Sequence, residues 1–181
     1  NITITFKDGM AVVSESAARF MINNAYEEVK KKLPKYYGEL NIARMNPDSV
    51  LDGTLLKKAI YTIEYKNSAQ NFADIETILN EEYRNIKSKT TDYEKIKAIY
   101  DYIIDNLDYK SGSGNHDIYS GLKTADKESV SADAYAMLFA MMMDELGYEN
   151  DIVVGGTIKE AEEPHTWNLV KVQGNWYHVD S

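Results

Sequence analysis

The chain has 181 residues, 44% hydrophobic and 27% charged, enough for one compact domain with an ordinary core, or for that domain and a smaller neighbour. Twenty Lys and Arg against 29 Asp and Glu leave a formal charge of -9, which repels phosphate backbones and anionic lipid and argues against a nucleic-acid partner. With no cysteine there is neither a disulfide nor a thiolate metal site, and three histidines (His116, His165, His178) are too scattered for a ligand cluster, so no metal or cofactor is expected.

In chain order, "ITITF" alternates as a short strand, "DG" at Asp8-Gly9 predicts a turn, and "MAVV" its hairpin partner. Phe20, Met21, Ala25, Val29 and Leu33 recur at helical spacing from Ser16 until Pro34 ends the run. The lysines at 30–32 share that helix with Glu27 and Glu28, so they make no basic patch. "ELNIARM" and "LLKKAIYTIEY" read as strands, and "NPDSVLDG" between them as turn chemistry. A second helix carries Ile75, Ile78, Leu79, Tyr83 and Ile86. Thr91 and Glu94 form a capping box for a third over Asp92 to Leu107, whose apolar stripe is Tyr93, Ile96, Tyr100, Ile103 and Leu107. "KSGSGN" from Lys110 to Asn115 is a loop too short to link domains.

"SVSADAYAMLFAMMMDELG" is the most apolar stretch, a helix capped by Ser129 or Ser131 and stopped by Gly147. Its inward residues are Tyr135, Ala136, Phe139, Met142, Met143 and Leu146, a methionine-rich core face. Its ten-residue apolar run from Ala134 to Met143 falls well short of the roughly 20 residues that cross a bilayer, so no membrane insertion is expected. "DIVVGG", "HTWNLVKV" and "NWYHVD" follow as strands, the last two joined by a tight turn at Gln173-Gly174. Helices followed by an antiparallel sheet make the fold class α+β.

That hairpin carries the chemistry. Pairing residues whose numbers sum to about 347 sets Asp180 opposite Trp167 and one side-chain step from His165. A lone histidine on a strand is usually a satisfied core or edge residue, but one beside a carboxylate has its tautomer fixed, which is the base and orienter pair of a nucleophilic triad. The residues supply no obvious nucleophile.

The segment from Asp92 to Ser181 resembles the transglutaminase-like superfamily, a branch of the papain-like thiol enzymes. The likeness rests on the order and spacing of "DYEKIKAIYDYIIDNLDY", "HDIYSGL", "ADAYAMLFAMMMDELGY", "IVVGG", "HTWN" and "WYHVD". It implies a papain-like core, a central helix packed on an antiparallel sheet, over 71–181; the strands and helix read before it make a smaller α+β layer over 1–70. It also implies a cysteine three residues before the Tyr135-Ala136 pair, where this chain has Ala132. A first-turn position lowers a thiol's pKa, and His165 would take and return the proton with Asp180 as orienter, but an alanine methyl has no lone pair to donate. Ser131 lies one residue out of register and is read as the helix cap. Tyr119 and Trp167 are the candidates for the oxyanion donor and groove wall.

The resemblance implies thiol acyl transfer or amide hydrolysis on a peptide, protein or peptidoglycan-type substrate, at a bacterial cell surface or outside the cell. The chain is silent as written. The alanine fits either an engineered replacement in a working enzyme or a natural pseudoenzyme, a noncatalytic cell-surface or cell-wall binding module. Family members continue beyond the strand that ends at Asp180, so the expectation is either that a C-terminal part of the core is missing or that the sheet edge is filled by something else. The missing initiator Met fits a leader removed from the N-terminus.

Overall fold

The protein is described by a computed structural model covering residues 2–11, 14, 16–17, 20, 24, 40–45, 50–52, 55–65, 68–112, 115–123, 125–156 and 165–181. The chain forms two compact units, one made of residues 1–33 and 40–66, the other of 34–39 and 67–181.

In the first unit, β1 (Ile2–Ala11), β2 (Leu40–Met45), β3 (Val50–Asp52) and β4 (Leu55–Tyr65) form one antiparallel sheet. The long β4 is its organiser, pairing with all three others. Asp8-Gly9 does not reverse the chain as the sequence predicts. β1 runs through it, with the register moving from Thr5↔Lys58 to Met10↔Leu56, so the extra residues are accommodated as an irregularity in one strand. The "NPDSVLDG" segment likewise contains β3, because Val50–Asp52 has β4 alongside as a template. The helix expected from Ser16 to Leu33 lies largely outside the described residues.

The second unit is built around one helix. Its elements are α1 (Ala69–Lys87), α2 (Asp92–Asn106), the short α3 (Ile118–Leu122), α4 (Ala132–Glu145), β5 (Asn150–Gly155), β6 (His165–Val172) and β7 (Asn175–Val179). Every residue of α4 from Ala134 to Ala140 is buried, as are Met142 and Met143. Such a helix is apolar all round rather than amphipathic, because α2, α3, β5 and β6 all pack on it. Its C-terminus ends in Gly147 at φ +78°, the left-handed conformation that glycine adopts without strain.

The amphipathic α2 shows where periodicity misjudges a face. Ile99, Ile103 and Leu107 are buried and Ile96 and Tyr100 partly so, but Tyr93 is 73% exposed. Tyr93 lies in the first turn, two residues past the capping threonine. The predicted capping box is present: Thr91 Oγ1 accepts from the Glu94 N–H at 3.2 Å and the Glu94 carboxylate accepts from the Thr91 N–H at 2.9 Å. That backbone bond, followed by the Thr91 hydroxyl, holds the Glu94 carboxyl below its ordinary range. Thr91→Ala should therefore cost about 1 kcal/mol in urea unfolding at neutral pH. The Glu94 contribution is complete above the unfolded carboxylate value, near pH 4.3, and is lost as pH falls through the lower folded value. The destabilisation caused by Glu94→Gln should accordingly shrink on acidification.

β5, β6 and β7 form an antiparallel sheet in that order. Thr166, Asn168 and Val170 of β6 are buried, and Asn168 Nδ2 donates to the Ala136 carbonyl at 2.9 Å, tying the sheet to α4. The β6–β7 turn has positive φ at Gln173 (49°) and Gly174 (84°), the twist a tight hairpin needs. Pairs such as Leu169↔His178 and Val172↔Asn175 carry the expected register.

Candidate functional site

The hairpin register brings His165 and Asp180 together. His165 Nε2 lies 2.9 Å from both Asp180 carboxylate oxygens. With Nε2 engaged, Nδ1 is the nitrogen left to exchange a proton with another group. Trp167, two residues along β6 on the same face, stacks on the His165 ring at 5.8 Å between centroids and 22° between planes. Its Nε1 donates to His178 Nδ1 at 2.8 Å, which fixes the indole. Space for that ring comes from Gly155 on β5, where a Cβ would sit 2.9 Å from the indole edge.

The other half of the site is the start of α4. Ala132 is its first residue and is half-buried. Ser131 occupies the cap position, but its hydroxyl makes no capping bond. Instead it donates to the Asn115 carbonyl at 3.1 Å and contacts His116 Nδ1 at 2.8 Å, while the Ser131 N–H bonds the same carbonyl at 2.8 Å. The same His116 nitrogen lies 2.8 Å from Asp133 Oδ2. Since the serine proton goes to Asn115 and a carboxylate only accepts, this network assigns a proton to His116 Nδ1. The other oxygen of Asp133 accepts from the hydroxyl of Thr166, which neighbours His165.

Asn115, His116, Asp133 and Thr166 are thus neighbours of the candidate residues that pattern reading passes over. The signal for two of them is adjacency: Asp133 follows Ala132 and Thr166 follows His165. Asn115 is firmly held, accepting from the Asp117 N–H at 3.2 Å and donating to Ser120 Oγ at 2.9 Å and the Ser129 carbonyl at 3.2 Å. Tyr119 sits on α3 as a partly buried residue packed against the core. No group of three or more His, Asp or Glu among the described residues is arranged to hold a metal ion, and no described helix is long and apolar enough to cross a membrane. A cavity of about 470 Å³ lined by Glu76, Leu79, Tyr83, Met141 and Asp144 lies toward the opposite end of α4 from Ala132. Its lining includes none of Ala132, His165, Trp167 and Asp180.

Residues 81–181, more than half of the chain, match the model of the transglutaminase-like superfamily core. The chain belongs to the transglutaminase-like superfamily. Kyphoscoliosis peptidase of Homo sapiens is 28% identical over 103 residues, a match covering 50% of this chain and 16% of that protein. The chain therefore spans about a sixth of the length of that relative. Among solved structures, a TGase is similar over 99% of this chain and 50% of its own, at 15% identity and TM-score 0.49. A candidate cysteine protease from Cytophaga hutchinsonii is similar over 64% of this chain and 43% of its own, at 20% identity and TM-score 0.46.

This transglutaminase-like domain has its helix packed on a small antiparallel sheet and has no cysteine nucleophile. Thiol acyl transfer needs a thiolate to attack the carbonyl, and the 181 residues contain none, so the domain is inactive as a thiol enzyme. Ser131 is a poor substitute, because its hydroxyl proton is directed at a backbone carbonyl rather than at a base.

Proposed function

We propose that Ala132, His165 and Asp180 mark the site of a thiol acyl-transfer domain acting on peptide or protein amides, silenced at its nucleophile position. Support comes from the bidentate Asp180–His165 contact, which orients a base on the strand packed against the helix that opens at Ala132. A thiol at residue 132 would stand at a helix N-terminus, where the dipole favours its anion, and give its proton to His165 Nδ1. It would attack the amide carbonyl to form a thioester. The proton would then return to the leaving amine, and water or a second amine would release the acyl group.

The test is substrate-independent. Ala132→Cys mixed with p-nitrophenyl acetate should release a burst of about one nitrophenol per chain and gain the mass of one acetyl group, with the burst slowed strongly in Ala132→Cys/His165→Ala. If Ala132→Cys gives no more burst than the unaltered chain, the proposed role of residue 132 is wrong.

A further inference from the structure

Two histidine–carboxylate pairs flank residue 132, and only one belongs to the acyl-transfer reading. His165–Asp180 supplies a base and its orienter. His116–Asp133 comes from the segment before α3 and from α4 itself, and it brackets Ala132: the residue before (Ser131) and the residue after (Asp133) both lie 2.8 Å from the same ring nitrogen. A single nitrogen serving both is no relay, since a relay passes a proton in at one ring nitrogen and out at the other. Its geometry is that of a clamp.

Asp133 joins this clamp to the sheet. One carboxylate oxygen holds His116, and the other accepts from Thr166, a 4% exposed residue directly following His165. Thr166 pairs with Val154 of β5, so it sits inside the sheet rather than at a loose end. Three separate pieces of chain, the segment carrying His116, the first turn of α4 and the start of β6, are therefore joined through one carboxylate. The second tie between α4 and β6, Asn168 to the Ala136 carbonyl, lies one turn further along the helix, so Asp133–Thr166 is the tie to β6 within the first turn.

We propose that Asp133 is a positioning residue: through Thr166 and His116 it locks the first turn of α4, and with it residue 132, in register with His165. This rests on the reading of residues 132, 165 and 180 as the acyl-transfer site. The register matters because proton transfer between residue 132 and the imidazole needs the two within hydrogen-bond reach, and a shift of about 1 Å is enough to lose most of the effect.

The test compares alkylation by iodoacetamide at pH 6 in the Ala132→Cys background, alone and combined with Asp133→Ala, Thr166→Val or Thr166→Ser. Asp133→Ala and Thr166→Val should each remove most of the roughly tenfold activation of the introduced thiol, whereas Thr166→Ser, which keeps the hydroxyl, should retain it. The size of the loss is diagnostic. Deleting an anion beside a thiol lowers its pKa, and for a thiol already near pH 6 the extra thiolate and the weaker nucleophilicity nearly cancel, so losing most of the activation in Asp133→Ala reports lost register and not lost charge. Faster or unchanged alkylation in Asp133→Ala would overturn the proposal while leaving the site reading intact.

A second measurement uses the chain without the introduced thiol. In Asp133→Ala the His165 ring NMR signals should shift or broaden together with those of His116, and His165 signals unaltered in a folded variant would overturn the clamp. If Ala132→Cys shows no activation but the His165 signals respond, the acyl-transfer reading fails and the clamp stands.

Discussion

Ala132→Cys should be alkylated by iodoacetamide at pH 6 about tenfold faster than a cysteine in an unstructured peptide. The magnitude follows from two opposing effects. An ordinary thiol with a pKa near 8.5 is only about 0.3% ionised at pH 6, whereas one lowered to about 6 by a helix N-terminus and an imidazolium is about half ionised, a gain of roughly 150-fold. The more acidic thiolate is a weaker nucleophile, and with a Brønsted slope of about 0.45 the drop of roughly 2.5 pKa units gives back about 13-fold. Ionisation wins. With no other cysteine in the chain, a single labelled mass identifies the reacting residue.

Phe139→Ala should cost about 3–5 kcal/mol, the largest stability loss expected from a single truncation in this domain. Phe139 is fully buried at the middle of α4, among Leu138, Met142 and Met143 that are equally closed to solvent. Deleting its ring forfeits both the transfer energy of the side chain and the contacts of whatever lines the void, and neighbours on a helix enclosed on all sides have little room to collapse into it. Urea unfolding should show the midpoint drop with little change in slope. Tyr93→Ala on α2, where the ring is 73% exposed, should move the same midpoint by less than about 0.5 kcal/mol.

The difference between those two aromatics also marks what could be read from the sequence. Spacing alone placed Tyr93 on the same stripe as Ile103, because periodicity knows which residues share a face but not how far the partner extends along it. The hairpin was legible because Gln173-Gly174 fixes the turn, the turn fixes the register, and the register sets Asp180 beside His165. Asp8-Gly9 carries a similar turn signal yet lies within a strand, since nothing local says that β4 is long enough to hold β1 straight through it. Ser131 shows the same limit on a smaller scale. Residue type and position both say helix cap, and its hydroxyl goes instead to Asn115 and His116, partners supplied by the fold from 15 and 16 residues away. Asp133 carries no local signal, because its contacts depend on Thr166, 33 residues further on.

The most direct measurement of the nucleophile–base assignment is a thiolate titration, followed by ultraviolet absorbance as the difference between Ala132→Cys and the unaltered chain. The absence of other cysteines makes that difference specific. If residue 132 faces His165, the thiolate signal should persist well below pH 7 in Ala132→Cys and retreat toward the ordinary thiol range near pH 8.5 in Ala132→Cys/His165→Ala. Superimposable titrations of the two variants would show that residue 132 and His165 do not form a pair, and would contradict the assignment.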